Sequence, residues 1–402
     1  MTRRGTALTR FTAAALTTSL AVALTLALTL AIAGTRRARA DVQRTIAGSL
    51  QLDYLAVPTD SHAARTTFDG MTAEASLKMS IDFTRNASAS VKICFACHGF
   101  EAAAAFVDLR AADELAVRIG RLTPEFGSFP QRGDPANHRS SDKPLPYDMG
   151  RMLHHNEWNE GVLPAPWVDN GAELLGTWFV DGGRVDYAAY ILSGPKGTTD
   201  GDDFNFVSSR DPQKYYVDNN SEPTFGARLS GGLDLDSEGH SLTLGGSAMT
   251  GHYDADRKLG FYIVGADLVA NLEGVTLRGE YLVRRTGVDV GDMPITKWRF
   301  GPGADGKYDS QVYKHGFYAE AEVPLGERVD TFARFDGMLR YGNVLKSGID
   351  SALSSRARVF RYTLGAAFRV SANIRLKTSL EYYQFSDFDN DLAIHVGVAT
   401  PF

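Results

Sequence analysis

Beyond residue 40 the chain has no apolar run long enough to cross a bilayer as a helix, which excludes a bundle of membrane helices. A barrel is not excluded, because its membrane contact is concealed in two-residue alternation. Cysteine is nearly absent: the 402 residues hold two, both in one short motif. One such motif lacks an obvious fourth partner for a structural zinc site. Positive charge is not in excess either, since the net charge is −6, and this acidity disfavours nucleic acid as a partner and argues against an anion-selective pore. No Pro-, Ser- or charge-rich run marks a linker, so one large domain over 41–402 is expected behind a short leader.

That leader is residues 1–40. Arg3, Arg4 and Arg10 precede an Ala/Leu/Thr stretch from Phe11 to Gly34, and Ala38-Arg39-Ala40 fits a small-x-small cleavage site, the pattern of a secretory signal. Ala31-Ile32-Ala33 is a second such site, and an uncleaved anchor is the other reading of the apolar stretch. The leader carries six arginines and no acid, so its removal takes the net charge from −6 to −12.

The last eleven residues set the pattern for the rest. Leu392, Ile394, Val396, Val398, Thr400 and Phe402 fall on one face, and Ala393, His395, Gly397, Ala399 and Pro401 on the other, as in a strand with lipid on one side and water on the other. A terminal strand ending in Phe resembles the sorting signal of bacterial outer-membrane barrels. The same period recurs upstream, with Phe360, Tyr362, Leu364, Ala366 and Phe368 against Arg361, Thr363, Gly365, Ala367 and Arg369. It recurs in Ile374–Tyr383, where Arg375, Lys377, Ser379, Glu381 and Tyr383 face inward. A soluble sandwich would not bury such a face.

Counting segments of this kind from Leu50 gives sixteen strands, several joined by tight links such as Asp181-Gly182-Gly183 and Glu273-Gly274. The expected fold is therefore all-β, a transmembrane antiparallel barrel of about sixteen strands in the bacterial outer membrane, with lipid around it. Tyr253, Tyr341, Phe385 and Phe402 lie near strand ends, where interfacial aromatic girdles are expected. The connection 123–170 far exceeds a hairpin. The lumen, where it would constrict a pore, and a lid outside the barrel are both open to it. It offers both charge signs in Arg132, Asp134, His138, Arg139, Asp142, Lys143, Asp148 and Arg151. Connections 194–223 and 289–312 are rich in Gly, Asp and Lys and read as solvated.

Both cysteines sit in Cys94-Phe95-Ala96-Cys97-His98, the spacing of covalent c-type haem attachment. Cys94 and Cys97 would each form a thioether and His98 would be the proximal ligand to iron. The alternative is a CxxC disulfide, which closes a very small loop and stabilises little. Alternation places Ser90, Lys92 and Cys94 toward the lumen and the connection after Cys94 on the side opposite the chain ends. The long connection holds five competent distal ligands, His138, Met149, Met152, His154 and His155, and spacing singles out none. No acid–base pair can be assigned, so binding rather than enzymatic turnover is the expected role.

The stretch Asp113 to Gly127, with Gly120-Arg121 followed by Pro124-Glu125-Phe126-Gly127, resembles outer-membrane porins of the phosphate-selective type. That resemblance implies passive diffusion of small hydrophilic solutes or ions and a homotrimer. The acidity and the Cys94 to His98 motif depart from the type. The motif is similar instead to those of porin–cytochrome conduits, which implies a redox barrel relaying electrons with a partner cytochrome. Three readings thus stand: a pore bearing one haem c, a redox barrel, and a plain porin with a disulfide.

Overall fold

The computed structural model describes residues 42–58, 70–96, 99–197, 203–204, 206, 209, 216–236, 239–290, 300–303, 305–346 and 352–402. The leader 1–40 and, within the motif, Cys97 and His98 lie outside the described residues.

The strands in chain order are β1 (Gln43–Ala56), β2 (Gly70–Thr84), β3 (Ala87–Ala96), β4 (Gly99–Ala112), β5 (Leu115–Leu122), β6 (Asp169–Val180), β7 (Gly183–Leu192) and β8 (Thr224–Asp234). Then come β9 (Ser241–His252), β10 (Gly260–Leu272), β11 (Val275–Gly287), β12 (Phe300–Gly301), β13 (Gln311–Leu325), β14 (Val329–Tyr341), β15 (Val344–Lys346), β16 (Ala352–Leu353), β17 (Arg356–Arg369), β18 (Arg375–Phe385) and β19 (Asp391–Pro401). Sixteen of them form a closed antiparallel barrel in which each strand pairs with its sequence neighbours and β19 closes on β1. The short β12, β15 and β16 make a separate sheet of three strands among the long connections. Closure matters because every ladder donor and acceptor is then paired and no edge is left facing an apolar phase.

Burial is inverted relative to a water-soluble protein. On β17 Leu364 is 64% exposed, whereas Arg361 is fully buried; on β18 Leu376, Leu380 and Tyr382 face out while Lys377, Glu381 and Tyr383 are buried. The alternation expected for the last strand holds too, with Ala393, His395 and Ala399 inside. Its end is fastened by packing as well as by the ladder. The Phe402 amide donates to the Gly48 carbonyl at 3.0 Å, the Gly48 amide returns the bond at 2.8 Å, and the Phe402 ring lies where a Gly48 side chain would stand.

Several expectations need correction. Tyr253 and Phe385 are not girdle residues, since both point inward and are buried. The Tyr253 hydroxyl donates to the Gly287 carbonyl, and Phe385 packs edge-on against His154. Above the apolar belt the outward positions turn polar, so sequence position near a strand end does not settle the face. For the same reason β13 begins at Gln311 rather than Phe317: there Val312 faces in and His315 faces out, reversing the pattern lower down. The connection 194–223 is not wholly solvated either, because Phe204 and Phe206 are buried beside Tyr253, Phe261 and Trp167.

Gly48→Val should force the Phe402 ring off its seat and lower stability by about 1–3 kcal/mol. Gly231→Ala, at a position open around its absent side chain, should leave stability nearly unchanged. Urea midpoints of the detergent-refolded barrels compare the two.

Candidate functional site

The long connection, residues 123–168, folds into the lumen rather than over it. Its root is built by two glycines. Gly120 has φ +135°, and a side chain there would come within 2.3 Å of the Ala105 carbonyl oxygen. Gly127 has φ +66°, with the Tyr147 hydroxyl 2.3 Å from where a Cβ would be. Both conformations are ones that glycine alone adopts without strain. They let Glu280 of β11 reach the chain: its carboxylate accepts from the Ser128 amide at 3.1 Å, the Ser128 hydroxyl at 2.8 Å and the Phe129 amide at 2.7 Å. The hydroxyls of Tyr147 and Tyr318 donate to it as well, at 2.5 and 2.6 Å.

Further along, the loop presents Asp142 to the opposite wall. Arg334 of β14 donates to Asp142 at 2.6 Å, and Arg361 of β17 is its second partner. Arg334 also reaches Asp336 at 3.2 Å and Glu320 at 3.4 Å, and Arg361 reaches Glu381 at 3.3 Å, all of them buried. Burial alone would raise the Asp142 carboxyl, but the guanidinium groups of Arg334 and Arg361 outweigh it and hold the group well below the usual carboxylate range. Backbone atoms are held too. The Leu145 amide donates to Asp336 at 2.9 Å, the Gln51 amide donates to the Ser141 carbonyl at 3.0 Å, and the Lys377 ammonium donates to the Ser140 carbonyl at 3.2 Å. Breaking one partner out of a buried charge pair costs roughly 3–5 kcal/mol. The loop is therefore a fixed part of the lumen.

Several of its other charges are paired. Arg132 meets Glu320 at 3.3 Å, Arg139 meets Asp330 at 3.0 Å, Arg151 meets Glu74 at 3.1 Å, and Asp134 meets Lys92 at 2.5 Å. Lys143 differs: it donates to the Ala165 carbonyl at 2.7 Å and the Met149 sulfur at 3.1 Å, with no carboxylate partner among the described residues.

Open space lies on two sides of this loop. At the short-turn end a vestibule of about 560 Å³ is lined with both signs of charge, among them Arg110, Asp113, Glu125, Arg184, Asp186 and Arg228. Glu125 is raised above an ordinary carboxyl, by burial first, against the pull of Arg118 and Arg228. The other space lies against β1 to β4 beside Cys94. It is a small slot of about 60 Å³, open at its mouth.

The structure sorts the candidate residues around that slot. Cys94 lines it, with its neighbours Lys92, Ser76 and Glu101, so the inward placement of Ser90, Lys92 and Cys94 holds. His138 and Met149 line it as well. Met152 does not: it is fully buried in the apolar core. His154 is stacked on Phe388 at 3.7 Å, and His155 opens a single helical turn, His155–Trp158. Cys97 and His98 fall between β3 and β4, outside the described residues. Glu280, Arg334, Asp336 and Arg361 were missed as site residues. Their signal was present, as charged residues at inward positions of alternating strands.

No family model and no curated protein sequence matches the chain. Solved structures do resemble it. The anion-selective porin from Comamonas acidovorans aligns with TM-score 0.54 at 13% identity, covering 90% of this chain and 100% of that one. OmpF of Salmonella typhi in complex with daunomycin aligns at 0.54 and 11%, covering 89% and 97%. The outer membrane channel DcaP of Acinetobacter baumannii aligns at 0.52 and 10%, covering 91% and 99%. At such identities the likeness is one of fold, and the fold is that of a sixteen-stranded porin.

A depressed carboxyl contributes stability that is complete above its unfolded value of about 3.9 and is lost only as pH falls through the folded value. Hydrogen exchange across 135–145, corrected for intrinsic rates, should thus stay flat from pH 7 to about 4.5. Asp142→Ala should raise it at least ~100-fold at pH 7, the factor that ~3 kcal/mol represents.

Proposed function

We propose that this protein is a porin-like channel of the bacterial outer membrane that passes small hydrophilic solutes or ions by diffusion. The observation that carries this reading is the loop pinned across a charged lumen, with a mixed-charge vestibule below it and an apolar face toward lipid outside. A lumen of paired charges favours solutes that keep their water, because a stripped ion would have to displace a partner from a buried pair. The Gly120 to Gly127 segment, on which the resemblance to phosphate-selective porins rests, serves as the root of the loop. It supports a shared loop architecture rather than a phosphate site.

The acid in the vestibule gives the reading its test. In a planar bilayer the purified protein should give ohmic steps, and silence would oppose an open pore. Because burial raises the Glu125 carboxyl above its ordinary value, acidification should move the reversal potential toward anions at a higher pH than an ordinary carboxyl would. Glu125→Gln should show the anion-shifted value already at pH 7 and lose most of that pH dependence.

A second reading rests on the cysteine motif alone. The Cys94-x-x-Cys97-His98 spacing is that of a haem c held by thioethers. Cys94, His138 and Met149 line the slot, but so do the carboxylates of Glu74, Glu101, Asp134, Asp142 and Asp148, and its free space is about 60 Å³, so the residues present do not fit a macrocycle seated within it. Haem would supply a one-electron couple. Relay across the membrane needs a partner cytochrome, since one such group does not span ~30 Å. Haem staining after denaturing electrophoresis decides between this reading and a CxxC disulfide. A stained band supports haem, and its absence from protein made in a maturation-competent host removes it.

A further inference from the structure

We propose that the outer wall of β10 to β17, at its long-connection end, binds the phosphorylated headgroup of a glycolipid in the outer leaflet of the bacterial outer membrane. The long connections of such barrels lie on the extracellular side, so this end meets that leaflet. Strand pairing sets five side chains in one row across the wall: Tyr262 lies opposite Arg285, Arg285 opposite Tyr313, Tyr313 opposite Tyr341, and Tyr341 opposite Arg356. Their chain neighbours Phe261, Arg284, Lys314, Arg340 and Ala357 are buried inside, so the row itself faces outward. Arg358 stands two residues from Arg356 on the same face and is exposed like it.

The cations in this row are free to take an anion. Arg285 Nε donates to the Gln311 side-chain oxygen at 2.8 Å, the Tyr313 hydroxyl donates to the same oxygen at 3.2 Å, and the guanidinium lies over the Tyr262 ring at 5.8 Å. These neutral contacts orient the group and leave its two terminal nitrogens without a partner among the described residues. That edge is the one with which arginine grips a phosphate through two hydrogen bonds. Arg356 and Arg358 likewise have no carboxylate partner among the described residues. Three strand spacings put Arg285 and Arg356 ~14 Å apart, a span that suits two phosphates on one disaccharide headgroup. Lower on the same face Phe317, Phe335, Phe360 and Tyr362 form an apolar cluster, with ring centroids 5.3 Å apart for Phe317 and Phe335 and 4.9 Å for Phe335 and Tyr362. Acyl chains hanging from a headgroup at the row would lie against these rings, which a free phosphate would not use. The row has no counterpart across the barrel, where Tyr54, Met71, Phe95 and Phe100 of β1 to β4 are the exposed outward groups at the same end.

The experiment places the full-length protein, freed of lipid, in nanodiscs of neutral phospholipid and titrates it with bisphosphorylated lipid A. Wild type should bind saturably. Arg285→Gln, Arg356→Gln and Arg358→Gln should each weaken binding about fivefold, and the triple variant roughly 100-fold. Arg328→Gln, at an exposed cation in the short turn between β13 and β14, should leave it unchanged. Phenylglyoxal, read out by mass spectrometry, should modify the three arginines in lipid-free detergent, and lipid A should protect them. A triple variant that binds as tightly as wild type, or equal binding of the dephosphorylated lipid, overturns the proposal. So does displacement by equimolar inorganic phosphate, because the row then reads the free anion. Arginines shielded in lipid-free detergent until the oligomer dissociates overturn it too, since a second copy of the chain then covers the row. Should the triple variant fail to fold, seen as loss of heat-modifiable migration, the single variants and the wild-type labelling decide the same question.

Discussion

The constraint on which this structure depends is that charges pointed into a narrow lumen must find partners there. The barrel has lipid-suited residues outside, so each strand delivers its polar side chains inward. Arg334, Arg361, Glu381, Asp336 and Lys377 come from β14, β17 and β18 and are all buried. Left alone, such charges would cost several kcal/mol each in lost hydration. The wall pairs some of them, and the loop completes the rest through Asp142 and its backbone carbonyls. The passage is in this sense a by-product of charge balance: what remains open is the space the pairing does not fill.

Much of the barrel could be read directly from the sequence, because a two-residue period survives wherever one face meets lipid. The tight links, the even strand count and the inward faces of β17, β18 and β19 all follow from it. The period fails at the rim, where outward residues become polar, and this is why the start of β13 and the sides taken by Tyr253 and Phe385 were not legible. The loop was legible as an anomaly of length, yet its destination was not. Nothing local in residues 123–168 states that Asp142 will meet Arg334 and Arg361, since that contact joins positions far apart in the chain.

The site shows the same division. The Cys94 motif could be recognised from spacing, while the choice among five donors could not, because spacing carries no information on which side chain a folded loop turns toward β3. The tertiary fold sorts them without choosing one: His138 and Met149 line the slot, and His154 is stacked on Phe388. Glu280 is the converse case. In sequence it is one more inward acid; in the fold it is the point on which the root of the loop hangs.

Seen mechanically, the loop is a cross-brace. It is tied to β1 through Gln51, to β11 through Glu280, and to β14, β17 and β18 through Arg334, Arg361 and Lys377. A hollow cylinder of strands would become more elliptical under uneven lateral pressure from the bilayer, and its bore would change with it. A braced one resists, because flattening must first pull apart a buried ion pair. The width of the bore is thereby set by chemistry inside the wall and shielded from the mechanics of the surrounding membrane.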